Sequence, residues 1–147
     1  MNKKLIITYI LSFLCLATIS AQSYHIEGEW YNEEKDAIIT IYKTTKNKYE
    51  GKITWMKFPN DENGNPKTDP LNDDENKRSR SRMGMVIMYD FKYKGKGKWE
   101  DGEVYDPKSG NTYSGTISMV SNDKLDLRGY IGISWFGRTS HWTRRTK

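Results

Sequence analysis

Residues 111–132 read NTYSGTISMVSNDKLDLRGYIG, and this stretch decides the fold class. Apolar residues or glycine alternate with hydroxyl residues over 112–119, and with charged or polar residues over 125–131. A period of two is typical of a strand that buries one face. Between the two segments, 121–123 indicates a turn, because Asn and Asp tolerate the φ values that tight turns require. The stretch therefore predicts a hairpin of two half-buried strands.

The same pattern recurs along the chain from Gly28 onward. Short segments rich in Tyr, Ile, Thr, Val and Trp are separated by Gly, Asn, Asp and Pro clusters, without sustained helical periodicity. Eight strands are enough to close a small barrel. We therefore predict an all-β fold, a small antiparallel up-and-down β-barrel of about eight strands. The predicted strands are 28–33, 37–43, 48–56, 82–93, 97–106, 111–120, 124–132 and 135–144.

The N-terminal segment 1–21 has the features of a cleaved signal peptide. Two lysines precede an apolar run at 5–17, and Ala21 provides a small residue at the cleavage position. The run is shorter than the roughly 20 residues that cross a bilayer, which argues against a transmembrane anchor. Cys15 lacks the preceding small residue of a lipoprotein signal. We expect an exported protein, periplasmic or secreted, whose mature chain 22–147 is one barrel domain.

The composition of this mature chain argues against several function classes. It contains no cysteine, so we expect neither disulfides nor thiolate chemistry. Removal of the two N-terminal lysines lowers the formal net charge from +5 to +3. A net charge of this size does not predict nucleic-acid binding, and the expected export argues further against it.

One connection, the polar stretch 59–80, is too long for a simple turn and is predicted to be a long charged loop. Arg78, Arg80 and Arg82 are spaced two apart at its end. In an extended segment their guanidinium groups would share one face and could bind a phosphate or carboxylate, so they are candidates for anion binding. The alternative is pairing with the acidic residues 73–75, which would contribute little energy.

Metal binding and catalysis have weak support in the sequence. Residues 61–65 begin like an EF-hand loop, but Pro66 and Asn72 replace its required Gly and Glu. With only two histidines, a zinc site is not expected. We predict no metal, no cofactor and no enzyme activity. A catalytic alternative would depend on spare carboxylates without a recognisable nucleophile. These carboxylates are Glu100, Asp101, Glu103 and Asp106.

The start of the mature chain resembles the Gly-x-Trp that opens the first strand of calycin barrels such as lipocalins. It is carried here by Gly28 and Trp30. The resemblance implies a structural role, in which a basic side chain from the last strand covers the Trp ring and closes one end of the barrel. Arg144 is the main candidate, with Arg138 and Arg145 as alternatives.

Most of the mature chain resembles a bacterial family called domain of unknown function 2147. The resemblance implies export and a lipocalin-like barrel, with no established ligand or reaction. Some members carry a cysteine pair in the long loop, which this chain lacks. The matching stretches are Tyr49-Glu50-Gly51-Lys52-Ile53, Asp69-Pro70-Leu71-Asn72, Arg78-Ser79-Arg80, Gly84-Met85-Val86-Ile87, Tyr105-Asp106-Pro107, Gly110-Asn111-Thr112-Tyr113, Leu127-Arg128-Gly129-Tyr130-Ile131-Gly132, and Gly137-Arg138-Thr139 with Trp142.

Two sets of residues are candidates for ligand binding. The first is the aromatic face of the 82–93 strand, where Tyr89 and Phe91 follow three apolar residues at a spacing of two. These side chains would either line an apolar pocket or fill the barrel completely. The second set lies on the last two strands, where the alternative is cross-strand pairing on the outside. It comprises Arg128, Tyr130, Arg138 and Trp142.

These observations favour an exported barrel that binds a small, partly apolar or anionic ligand in the cell envelope. The alternative is a non-catalytic envelope or interaction protein that uses the charged 59–82 loop. Salt distinguishes the two, because charge-mediated binding weakens with ionic strength while apolar binding does not.

Overall fold

The computed structural model describes residues 23–133 and 137–146. In these residues, eight antiparallel strands form a closed barrel in chain order, and β8 pairs with β1. The predicted all-β, up-and-down barrel is therefore confirmed. The predicted signal peptide lies outside the described residues. The strands are β1 Gly28–Tyr31, β2 Ala37–Lys43, β3 Tyr49–Met56, β4 Val86–Gly95, β5 Lys98–Asp106, β6 Asn111–Ser121, β7 Lys124–Tyr130 and β8 Arg138–Arg144.

One end of the barrel is closed by packed aromatic side chains. The turns 44–48, 96–97 and 122–123 lie at this end, and Trp30 is fully buried beneath them. The guanidinium carbon of Arg144 lies 4.2 Å from the centre of the Trp30 ring. A side chain at Gly28 would come within 2.9 Å of an Arg144 nitrogen. Glycine at this position therefore leaves the space that the arginine occupies.

The opposite end carries the longer connections, and we call it the open end. Its connections are 32–36, 57–85, 107–110 and the segment between β7 and β8. The 57–85 connection is folded, with a short 3-10 turn at Glu75–Lys77 and two backbone bridges of its own, Asn60 with Pro66 and Thr68 with Ser81. A side chain at Gly110 would meet the Leu71 carbonyl oxygen at 2.1 Å. The connection therefore packs directly against the turn between β5 and β6.

Bulges interrupt the alternation of inward and outward residues, and two of them contain a residue with positive φ. Asp90 in β4 and Asp101 in β5 have φ values of 59° and 57°. Across from β3, Tyr49 pairs with Phe91 and Gly51 with Met88, so β4 has one extra residue. The prediction that Tyr89 and Phe91 share one continuous face is therefore wrong. Phe91 is buried in the core, whereas Tyr89 is only half-buried.

Candidate functional site

A cavity of about 590 Å³ lies inside the open end of the barrel. This volume is within the range of roughly 300–1,000 Å³ that is usual for small-molecule sites. Its wall is predominantly apolar, and its rim carries exposed charged and apolar side chains. The wall includes Ile39, Ile53, Ile87, Val104, Leu127 and Trp142, and the rim includes Asp36, Phe58, Lys108, Ile131 and Arg138.

Three of the predicted ligand-binding residues line this cavity. Trp142 is buried in the wall, and its indole N–H donates to the Ser140 hydroxyl over 2.9 Å. Tyr130 and Arg138 lie at the rim, where the Arg138 side chain is 82% exposed. The last two strands therefore supply one apolar surface and two polar groups to the cavity.

The other three predicted ligand-binding residues do not line the cavity. Phe91 fills the space beside Gly102 and Gly115, where an added Cβ would lie 2.4 and 2.6 Å from its ring. The Tyr89 hydroxyl donates to the Val86 carbonyl oxygen. Arg128 pairs across the strands with Thr139, and its guanidinium donates to the Thr139 hydroxyl over 3.1 Å. Its neighbours in β7 on either side point inward, so Arg128 lies on the outer face.

Ion pairs connect the loops around the mouth of the cavity. Lys108, in the turn between β5 and β6, lies 3.4 Å from the Asp36 carboxylate in the turn between β1 and β2. These two turns stand opposite each other on the eight-stranded barrel. Burial by itself raises the pKa of Asp36. The hydrogen bond from Asn32 and the charge of Lys108 together outweigh burial, so the pKa of Asp36 lies below its ordinary value. The pair therefore spans the mouth in its charged form.

A buried carboxylate joins the long connection to the barrel. Asp69 is fully buried, and it accepts hydrogen bonds from the Tyr105 hydroxyl at 2.6 Å and the Asn72 amide at 2.9 Å. Arg80 donates to the same carboxylate at 3.0 Å and stacks on the Tyr105 ring. Burial first, and then the bond to Asp69, raises the pKa of Tyr105. Sequence analysis placed Asp69 only within a family-like stretch and did not identify this network.

The three arginines at the end of the connection do not form the predicted row. Arg78 has helical backbone angles, with φ −62° and ψ −29°, so the expectation of an extended segment is wrong. Its guanidinium contacts Glu75 at 3.3 Å, as the alternative interpretation expected. Arg80 binds Asp69, and Arg82 donates to two backbone carbonyl oxygens. The arginines therefore hold the connection in place, and they do not converge on one anion site.

Comparisons with known proteins assign the chain to a family. Residues 28–144 match DUF2147, described as an uncharacterised protein conserved in bacteria. The chain belongs to this family. The solved structure of protein HP1028 from Helicobacter pylori, described as belonging to the lipocalin family, resembles the DUF2147 barrel with a TM-score of 0.72 and 23% identity. The match covers 85% of this chain and 86% of that one, and it supports the lipocalin-like fold. No curated protein matches.

The cavity of the DUF2147 barrel is lined mainly by apolar side chains. Over the described residues, no three His, Cys, Asp or Glu side chains are grouped so that they could hold a metal ion. No helix in the same residues is long and apolar enough to cross a membrane. At the cavity the chain presents an apolar wall with a few hydroxyl groups, an arrangement that can enclose an apolar molecule and orient its polar end.

Proposed function

We propose that this protein is an exported barrel that binds a small, partly apolar ligand in the cell envelope. The observation that supports this proposal is the apolar cavity of about 590 Å³ at the open end. The envelope location rests on the signal-peptide features of residues 1–21. The lipocalin-like fold is compatible with this function, although folds of this kind serve many unrelated functions.

The lining indicates the chemistry of the ligand. Apolar side chains from β2, β3, β4, β5, β7 and β8 surround the cavity, so most of the ligand surface should be hydrocarbon or aromatic. Tyr113, Tyr130 and Ser140 add hydroxyl groups to the lining. These hydroxyls can donate to one or two acceptor atoms, which would orient a ligand carrying a carbonyl, ether or carboxylate group.

The first test is native mass spectrometry of mature protein purified gently from its own bacterium. We expect a reproducible mass above that of the polypeptide, which disappears when the protein unfolds. The mass of the released compound would identify the ligand class. A bare polypeptide mass in repeated preparations from the native source would contradict the proposal.

A second test places a bulky side chain in the cavity. Val104 lines the cavity, and Val104→Trp should reduce the binding of the neutral fluorescent probe N-phenyl-1-naphthylamine at least tenfold, since the indole occupies ligand volume. Val120→Trp is the matched control, because Val120 is 59% exposed on β6 and lies outside the cavity. Equal probe binding by the two folded variants would exclude this cavity as the binding site.

A further inference from the structure

Positive charge is concentrated at the closed end of the barrel. The turn from β2 to β3 contains Lys43, Lys46 and Lys48 within residues 43–48. The turn from β4 to β5, residues 92–98, reads KYKGKGK and contributes four more lysines. Neither segment contains an acidic residue. We call these two segments together the lysine face.

Neighbouring carboxylates neutralise only part of this charge. Asp90 lies 2.8 Å from Lys48, and Asp101 lies 2.8 Å from Lys94 and 3.6 Å from Lys92. Glu100 is paired across the strands with Lys92. Among the described residues, no carboxylate lies within ion-pair distance of the other four lysines. These are Lys43, Lys46, Lys96 and Lys98.

One of these lysines occupies an unfavourable backbone position. Lys96 and Gly97 form the two-residue loop between β4 and β5, with φ values of 51° and 70°. Such loops favour Asn or Gly, because a left-handed backbone is strained for other residues. Lysine at this tip exposes a charge at a conformational cost. A backbone outlier of this kind supports a functional role for the side chain.

Exposed apolar groups accompany the lysines at this end. Tyr93 is 49% exposed, and its ring rests on Trp99 at 4.8 Å. Val120 is also exposed, and it lies next to the turn between β6 and β7. Tyrosine side chains favour the interface between membrane and water, where the ring is partly dehydrated and the hydroxyl remains solvated. This combination suits a lipid surface better than a soluble polyanion.

We propose that the lysine face docks on a bilayer of anionic phospholipids. The partner is the layer of phosphate headgroups, which the unpaired ammonium groups attract, while Tyr93 enters the headgroup region. The lysine face and the cavity mouth lie at opposite ends of the barrel. A docked molecule therefore keeps its mouth open to the aqueous side. This proposal does not depend on ligand binding in the cavity.

The test is flotation of the mature protein with lipid vesicles. We expect binding to vesicles of phosphatidylglycerol and phosphatidylcholine, and none to phosphatidylcholine alone. Binding should weaken steeply as salt rises, because surface charges are screened beyond about 8–10 Å at physiological ionic strength. Binding that persists at high salt would contradict the proposal, as would capture by dextran sulfate without any binding to vesicles.

The variant Lys96→Gly distinguishes the effect of the lysine charge on vesicle binding from an effect on protein stability. Glycine relieves the left-handed backbone at this position, so the melting temperature should rise or stay unchanged. Affinity for the anionic vesicles should fall about fivefold, which corresponds to the roughly 1 kcal/mol expected for each lysine near an anionic surface. With Lys46→Gln added, we expect a fall of about 25-fold, since the two lysines lie in different turns.

The matched control carries the same change of net charge at the other end. Lys57→Gln with Lys67→Gln removes two cations beside the exposed Phe58 at the open end. This pair should leave vesicle binding within about twofold of the wild type. If it weakens binding as much as the Lys46 and Lys96 pair, net charge alone explains the attraction and the docking proposal is wrong.

Discussion

The closed and open ends of this barrel are built from the same eight strands, yet one is solid and the other encloses a cavity. Two strands carry a large inward side chain nearer the closed end and a smaller one at the cavity. In β5 the series runs from Trp99 to Val104, and in β8 from Trp142 to Ser140. Side-chain volume therefore contributes to whether a part of the barrel is core or cavity, because small barrels are just wide enough for side chains to fill.

The largest expected effect compares two apolar residues of β4, one at each end. Phe91→Ala should lower the free energy of unfolding by about 3–5 kcal/mol, since the ring is fully buried between close-packed strands. Ile87→Ala, in the cavity wall, should cost about 2 kcal/mol, because part of its surroundings is already empty. Urea denaturation measures both. Equal losses would mean that the open end is packed as densely as the closed end.

The next effect concerns the long connection and its buried carboxylate. Asp69→Asn should lower the free energy of unfolding by about 2–3 kcal/mol, because the charge-assisted bonds from Tyr105 and Arg80 are weakened. The connection should also become sensitive to trypsin at its basic residues. Asp73→Asn is the matched control, since Asp73 is exposed in the same connection. Equal protease resistance of the two variants would contradict the role of Asp69.

A smaller effect compares two arginines at the ends of β8. Arg144→Gln should cost about 1–2 kcal/mol, since it removes the guanidinium from the Trp30 ring. It also removes hydrogen bonds to the carbonyl oxygens of Glu27 and Asn122. Arg138→Gln should change stability by less than about 0.5 kcal/mol, because its side chain is mostly in solvent. Thermal melting of both variants checks the difference.

The smallest effect is a dependence of stability on pH. His141 lies 2.7 Å from Asp126 on the outer surface, and this hydrogen bond and the carboxylate charge raise the pKa of His141. The contribution of this pair to the free energy of unfolding should be complete below pH 6.5, the ordinary pKa of histidine. It should disappear as pH rises through the raised pKa of His141 in the folded state. Melting temperatures across this range should show it. Asp126→Asn should remove the dependence.

The arrangement of the cavity could be predicted from the sequence only in part. Trp142, Tyr130 and Arg138 were identified because they belong to a dense set of polar and aromatic residues on the last two strands, which antiparallel pairing brings together. Arg128 was misplaced because strand parity alone does not say which face is inward. The Asp69 network was missed because its members are separated by up to 36 residues and meet only when the connection folds back on the barrel.

The sequence by itself determined the number of strands, their up-and-down order and the closed end, whereas β4 and β8 begin at Val86 and Arg138, after the predicted residues 82 and 135. Alternation of apolar and polar residues is local, and it specifies half-buried strands wherever it occurs, while Gly28 and Trp30 form a recognisable pair. Only the tertiary structure decided which residues line the cavity. The bulges at Asp90 and Asp101 reset the alternation within their strands. Such bulges are defined by how a strand pairs with its neighbour, so the alternation within one strand does not predict them.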